Sequence, residues 1–506
     1  MSGVDARSPR VGASDHRFFA ALLVMTLVVV VLWPLLDGGW HGDDWAWLAV
    51  AVHGGPPISA FVENHLFGFY YRPISVLAWW IATAVAGIEP SKHYMLTMAL
   101  HAAGALAAGE FTRAFTGSIQ RGALAAVLVA VAPPVAGMAL WLSNRSEALV
   151  LVFGFLAMRL ALGGTRHATR AVAVAIALWL AATSKETGLA FVPAVALLMV
   201  AEAGWRGLLR PTRLLTVLVP LLLALLPRPF VTVPLPEAAG LVDLPRVAAG
   251  GMHFWIQRLP HALGGWGESG VLSIMLATLA LVLAAIGTWN LLRDRLPWHA
   301  LALGVLLALA ALAQSPNTFG AVDDPAVLEF LVNLRYFAIG SAALAVLAAC
   351  AIPREVSRPR DILIMAFAVA LAMAWAKQSH TQATRWSAQT RVQTEQMLGG
   401  LAMTGSLPSC PPPFPSEAFP NALLGYVDTL YKANLPVGDP RLSCLVSVAG
   451  EPMGIFVLPR KSCVDVPTTG DWQVLIRDGR RFVEPLGGVC QVAYQRRART
   501  LRGPVD

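Results

Sequence analysis

Long apolar runs alternate with short polar connections through the first three quarters of the chain, and then the pattern changes. The first run, Phe18 to Leu36, follows Arg7, Arg10 and Arg17 and has no clear small-residue cleavage site. It predicts an uncleaved signal anchor that starts in the cytoplasm and ends outside. The next apolar piece, Ile74 to Gly87, holds Trp79-Trp80 and falls short of the roughly 20 residues that a span needs. If it crossed the bilayer, Arg113 and Arg121 would face outward. If it lies in the interface, where amphipathic aromatics are favoured, both face inward.

With the second choice every dense basic connection sorts to the cytoplasmic side. Helices are predicted over about His93–Arg113, Gly122–Leu140 and Glu147–Leu162, then a short one to Ser184 and one down to Arg206. Another rises to about Arg228, and after an outer loop, Pro229–Gly270, one descends to Arg293. Further helices run up to Ser315, down from the outer loop Pro316–Asn333 to Arg354, and up over Ile362–Ala376. The Lys/Arg bias of short loops sets orientation, so the pattern predicts eleven spans with the C-terminus outside. The expected fold class is an all-α polytopic membrane protein with a small α+β extracytoplasmic C-terminal domain. Residues 1–17 form a cytoplasmic segment, 18–376 the transmembrane domain with an outer loop over 37–92, and 377–506 the tail.

The tail changes composition. Gln378–Gln396 is polar but still helical in pattern, Leu407–Pro415 reads as a linker, and Pro420–Ala433 is a candidate helix. Cys444–Val448 and Gly454–Leu458 read as short strands. Trp472–Ile476 and Arg481–Pro485 flank an Asp-Gly turn and predict a hairpin. Four of the five cysteines, Cys410, Cys444, Cys463 and Cys490, lie here, and an oxidising outer compartment would pair them in one of three ways. Cys350 sits alone in an apolar run.

Composition agrees with the pattern. Hydrophobic residues make up 56% of the 506 and charged residues 13%, about half the share of a soluble domain. The net charge of +8 is then a topology signal rather than a nucleic-acid footprint. No cofactor is indicated, and no His/Cys/Asp cluster has metal-ligand spacing.

Against that background the polar residues predicted at outer helix ends stand out. The first outer loop, Gly38 to Arg72, carries the adjacent pair Asp43-Asp44, with Tyr71 and Arg72 at its end. His93 follows, then Arg145 and Glu147 in Trp141–Glu147, Lys185 and Glu186 in Ser184–Glu186, and Arg335 and Tyr336 in Asn333–Tyr336. Asp43 alone could be an ordinary helix cap, and Arg145 with Glu147 or Lys185 with Glu186 could be local ion pairs. Together they place cations outside, against the Lys/Arg bias. A bound phosphate would stabilise them there, and carboxylates on the same face could serve as general base toward an acceptor hydroxyl.

In their order these motifs resemble the GT-C superfamily of membrane glycosyltransferases, and most of all its branch related to protein O-mannosyltransferases and to mannosyltransferases with tetratricopeptide repeats. The resemblance spans about residues 18–351. It rests on Asp43-Asp44, Tyr71-Arg72-Pro73, Gly87-Ile88-Glu89-Pro90, His93, His101, Trp141 with Arg145 and Glu147, Ser184-Lys185-Glu186, and Arg335-Tyr336. The chain departs from the branch at Ala132-Pro133 and Gly137, where a His-Pro and then a Glu are usual, and it lacks the repeats. The resemblance implies an inverting transferase that takes a sugar from a polyprenyl-phosphate donor at the outer face and gives it to a protein, lipid or glycan hydroxyl. The expected location is a bacterial inner or plasma membrane, crossed in multiple passes. Asp43 or Asp44 would be the base, and Lys185, Arg335 and Arg72 would hold the leaving phosphate. Tyr71, His93, Arg145, Glu147, Glu186 and Tyr336 complete the implied binding set. The competing class is a transporter or flippase of lipid-linked sugars, which needs ionisable residues and broken helices near mid-membrane. A third is a non-catalytic assembly factor that kept the fold.

Overall fold

The computed structural model describes residues 13–40, 44, 47–48, 51, 57–62, 71–87, 89–163, 168–231, 259–264, 271–319, 337–353 and 358–402, and four strands of the tail. The chain begins with α1 (Ala13–Leu32) and a 3-10 turn, Trp33–Asp37. There follow α2 (Pro73–Ala86), α3 (Pro90–Thr116), α4 (Ile119–Val131), α5 (Pro133–Leu140), α6 (Arg145–Ala161), α7 (Ala168–Ser184), α8 (Phe191–Leu208) and α9 (Pro211–Leu225). Then come α10 (Val271–Arg293), α11 (Pro297–Phe319), α12 (Ala338–Ala349) and α13 (Pro359–Ala402). Proline opens several of these helices, at the position where its missing N–H costs nothing.

The bundle is an integral membrane protein. Charge placement predicts eleven spans; among the described residues five helices are long and apolar enough to cross a membrane, and six if the bent pair α4–α5 is one span. α2, α7, α12 and the apolar part of α11 are shorter apolar helices. α12, rich in alanine, is buried along its whole length and ends on Cys350, buried with a free thiol. α9 instead presents Leu215, Leu222 and Leu223 outward, as a lipid-facing helix does.

The bend of 51° between α4 and α5 has a local cause. Pro134 brings no N–H, so the Ala130 carbonyl one turn back loses its helical donor, and the Val135 N–H bonds the Ala132 carbonyl at 2.9 Å instead of that of Val131. Two side chains replace the missing donors. His101 Nε2 on α3 donates to the Ala130 carbonyl at 2.8 Å, and Ser379 Oγ on α13 donates to the Val131 carbonyl at 2.9 Å. His101, one of the motif residues, thus has a structural partner away from the charged end of the bundle.

α13 is a single helix of 44 residues, about 66 Å long and twice the hydrocarbon thickness. It runs unbroken through position 377, and one face of its polar half is buried: Gln378, Ser379, Gln382, Ser387 and Thr390 are all under 9% exposed. In the tail, β1 (Gly454–Val457), β2 (Trp472–Arg477), β3 (Arg480–Pro485) and β4 (Val492–Gln495) form an antiparallel sheet in the order β1-β4-β3-β2. β2 and β3 pair as a hairpin from Trp472↔Pro485 to Arg477↔Arg480, the register that a two-residue Asp-Gly connection favours. The expected helix Pro420–Ala433, the strand Cys444–Val448 and the cysteines Cys410, Cys444, Cys463 and Cys490 lie outside the described residues.

Candidate functional site

The start of α3, the start of α6 and the α7–α8 junction meet at one end of the bundle, and α2 lies across it. Arg72, immediately before α2, bonds Glu186 at the α7–α8 junction, with Nε at 3.0 Å and Nη2 at 2.7 Å from Oε2. In its first turn Ser75 donates to the Ser184 carbonyl at 2.7 Å. Beyond its last residue, Gly87 takes φ +63°, a conformation that glycine adopts without strain, and its carbonyl accepts from His93 Nε2 at 2.8 Å. Start and finish of α2 therefore touch the same polar cluster. A 14-residue helix, about 21 Å long, here lies across the end of the bundle rather than through it.

At the centre of this end is Arg145, the first residue of α6 and 1% exposed. Its guanidinium lies 4.5 Å from the centre of the Trp79 ring. Nε donates to Thr97 Oγ1 at 3.3 Å, and Nη2 to His93 Nδ1 at 3.2 Å. A guanidinium only donates, so His93 Nδ1 must accept and Nε2 carries the proton it gives to Gly87. The imidazole is therefore neutral. Trp40 closes over it at 4.9 Å between ring centres. Asp44 is wholly buried and supplies the opposite charge to Arg145. Its Oδ1 accepts from the backbone N–H of Ser143 at 2.6 Å, which holds the 3-10 turn Leu142–Asn144 ahead of α6.

Next to it lies a second set. Glu147, 1% exposed, accepts from Lys185 Nζ at 2.6 Å and from Thr187 Oγ1 at 2.8 Å. Arg228, beyond α9, acts electrostatically on both Glu186 and Tyr71. Burial holds the Tyr71 hydroxyl above its ordinary range and Arg228 pulls it back; the hydroxyl points to the Phe61 carbonyl at 3.4 Å.

Of the residues singled out by sequence, Tyr71, Arg72, His93, Arg145, Glu147, Lys185, Glu186 and Asp44 come together here. Asp43, Arg335 and Tyr336 lie outside the described residues. The ion pairs join residues far apart in the chain, Lys185 to Glu147 and Arg72 to Glu186, so these two cations already have carboxylate partners before any phosphate arrives. Arg228 and Thr187 were not singled out. Arg228 carried the same signal as Lys185, a cation at the end of a helix running toward this face; Thr187 carried none. Among the described residues, no group of three or more His, Cys, Asp or Glu is arranged to hold a metal ion.

No family model and no curated protein matches the chain. Among solved structures, it is similar to ArnT from Cupriavidus metallidurans bound to undecaprenyl phosphate, at 14% identity and TM-score 0.49, over 97% of this chain and 100% of that one. The oligosaccharyltransferase of Archaeoglobus fulgidus in the apo form is similar at 14% identity and TM-score 0.45, over 84% and 60%. AglB from the same organism, in complex with an inhibitory peptide and a dolichol-phosphate, is similar at 13% identity and TM-score 0.44, over 73% and 56%. The chain spans little more than half the length of these archaeal oligosaccharyltransferases. Identities this low and TM-scores under 0.5 leave the chain's own residues to carry its function.

Proposed function

We propose that the chain is an inverting glycosyltransferase that moves a sugar from a polyprenyl-phosphate donor to a hydroxyl acceptor at the outer face of the membrane. The observation that carries this is the gathering of Arg72, Glu147, Lys185, Glu186 and Arg228 at one end of an apolar bundle. Desolvating so many charges is costly, and apolar packing would stabilise a bundle as well or better. A site for an anionic headgroup accounts for them. All of these but Arg228 also belong to the motifs whose order resembles the GT-C pattern.

In this reading the donor phosphate sits against Arg72 and Lys185, with Arg228 and Arg335 adding positive charge where the leaving group becomes more negative. An acceptor hydroxyl attacks the anomeric carbon from the face opposite the phosphate and gives its proton to a carboxylate. The bond between the anomeric carbon and the phosphate oxygen breaks, and its electron pair leaves with polyprenyl phosphate. Asp44 is wholly buried and engaged with Ser143 and Arg145, which favours Asp43 as the base. The orientation that suits this chemistry has the N-terminus in the cytoplasm and the tail outside, where its four cysteines would form two disulfides.

Purified protein incubated with radiolabelled polyprenyl-phosphate sugars and a cell-envelope extract tests the proposal. Consumption of one donor and label in an acceptor is the expected result. A donor that crosses sealed vesicles intact, with no cleavage, would assign the chain to the transporter class instead.

A further inference from the structure

The last helix bonds the backbone of Gly39, ahead of the acidic pair. Thr390 on α13 is wholly buried and gives its hydroxyl proton to the Trp386 carbonyl at 3.0 Å, within its own helix. A lone pair on the same oxygen accepts the N–H of Gly39 at 3.0 Å. On the other side of that residue, the Tyr94 hydroxyl on α3 lies 3.1 Å from the Gly39 carbonyl and 3.2 Å from the Leu140 carbonyl, and its one proton is shared between them. Both polar groups of one peptide residue are thus bound by side chains from two helices 55 and 351 positions away. The approach is close: a Cβ on the preceding Gly38 would lie 2.9 Å from the Leu35 carbonyl oxygen, 3.1 Å from the Tyr94 ring and 3.3 Å from Thr390 Oγ1. Five residues past Gly39 the chain is caught again, where Asp44 accepts from Ser143. The neighbours of Thr390 keep α13 in place. His380 Nδ1 meets the Val31 carbonyl at 3.1 Å, Trp375 Nε1 donates to the Leu263 carbonyl at 2.8 Å, and Trp386 packs on Trp141 at 6.2 Å between ring centres.

We infer that Thr390 is a positioning residue for the reaction. By anchoring Gly39 it sets the place of the Asp43-Asp44 segment, so that the helix leading into the C-terminal tail is part of the catalytic scaffold. This rests on the transferase reading above. A buried N–H left without its acceptor has to find water or move, and a shift of about 1 Å in a catalytic group can cost on the order of a hundredfold in rate.

The test compares Thr390→Val, which keeps the shape and removes the acceptor, with Thr390→Ser, which keeps the acceptor. Tyr94→Phe removes the other bond to Gly39. In full-length protein, Thr390→Val should lower kcat by about tenfold to a hundredfold with the KM for the lipid donor unchanged, and Thr390→Ser should restore it. Hydrogen exchange of peptides covering residues 33–48 should rise in Thr390→Val and Tyr94→Phe and return in Thr390→Ser. Exchange equal to wild type would overturn the anchor, whether or not transfer activity has been found. Faster exchange with wild-type kcat in an active enzyme would overturn the positioning role. Wild-type protein that transfers no sugar would defeat the transferase reading, and with it the positioning role, while exchange still reports on the anchor.

Discussion

Asp43 and Asp44 are adjacent in sequence, yet changing each to asparagine should have unlike consequences. Asn at 44 keeps an oxygen for the Ser143 N–H but removes the negative charge that Arg145 faces. Arg145 is 1% exposed, and its remaining partners, His93 and Thr97, are neutral. The Trp79 ring at 4.5 Å is present before and after the change, so it offsets nothing. Leaving a buried cation uncompensated costs about 3–5 kcal/mol, a large part of the roughly 5–15 kcal/mol that keeps a typical domain folded. Asp44→Asn should therefore lower the apparent Tm of detergent-solubilised protein by several degrees. Asp43→Asn leaves the charge of Asp44 that acts on Arg145 in place. It should keep the wild-type Tm and lose about 10²–10⁴-fold in single-turnover transfer, the usual cost of removing a positioned base. Melting curves followed by tryptophan fluorescence and rapid-quench transfer on the same preparations measure both. An Asp44→Asn protein that melts with wild type would refute the charge compensation. An Asp43→Asn protein that transfers sugar at the wild-type rate would remove Asp43 from the chemistry.

Two further outcomes are expected. Lys185→Met strands the Glu147 carboxylate, 1% exposed, with Thr187 as its other hydrogen-bond donor, and should cost about 3–5 kcal/mol; adding Glu147→Gln should recover most of the Tm while donor KM stays high, which titration of the lipid donor would show. Ser379→Ala orphans the Val131 carbonyl at the α4–α5 bend and should cost about 1–3 kcal/mol in thermal melts without changing donor KM.

The chain's own pattern determined a good deal. Apolar runs and basic loops marked helices over about His93–Arg113 and Glu147–Leu162, and the structure has α3 and α6 there. The hairpin around Asp478-Gly479 was legible because alternation and turn chemistry act over neighbouring residues. Ile74–Gly87 was readable as a short apolar helix from its length and composition, and the structure has α2 there. These are local properties, and local forces write them directly into sequence.

What the sequence could not decide is which charges meet. Lys185 has its neighbour Glu186 and Arg145 has Glu147 nearby, so short-range reading offered those pairs. Packing brings Lys185 to Glu147 and Arg72 to Glu186 instead, because α2 lies across the ends of α6 and α7 and carries Arg72 to the α7–α8 junction. The same holds for His101, whose Ala130 partner exists only because Pro134 stripped that carbonyl of its helical donor. It holds too for Thr390, which meets Gly39 across 351 positions. The sequence alone placed a set of acids and bases near the ends of apolar helices. Only the tertiary structure decided which of them are already paired and what bonds Gly39 and Asp44, because side-chain partners at a helix end are chosen by how the helices cross.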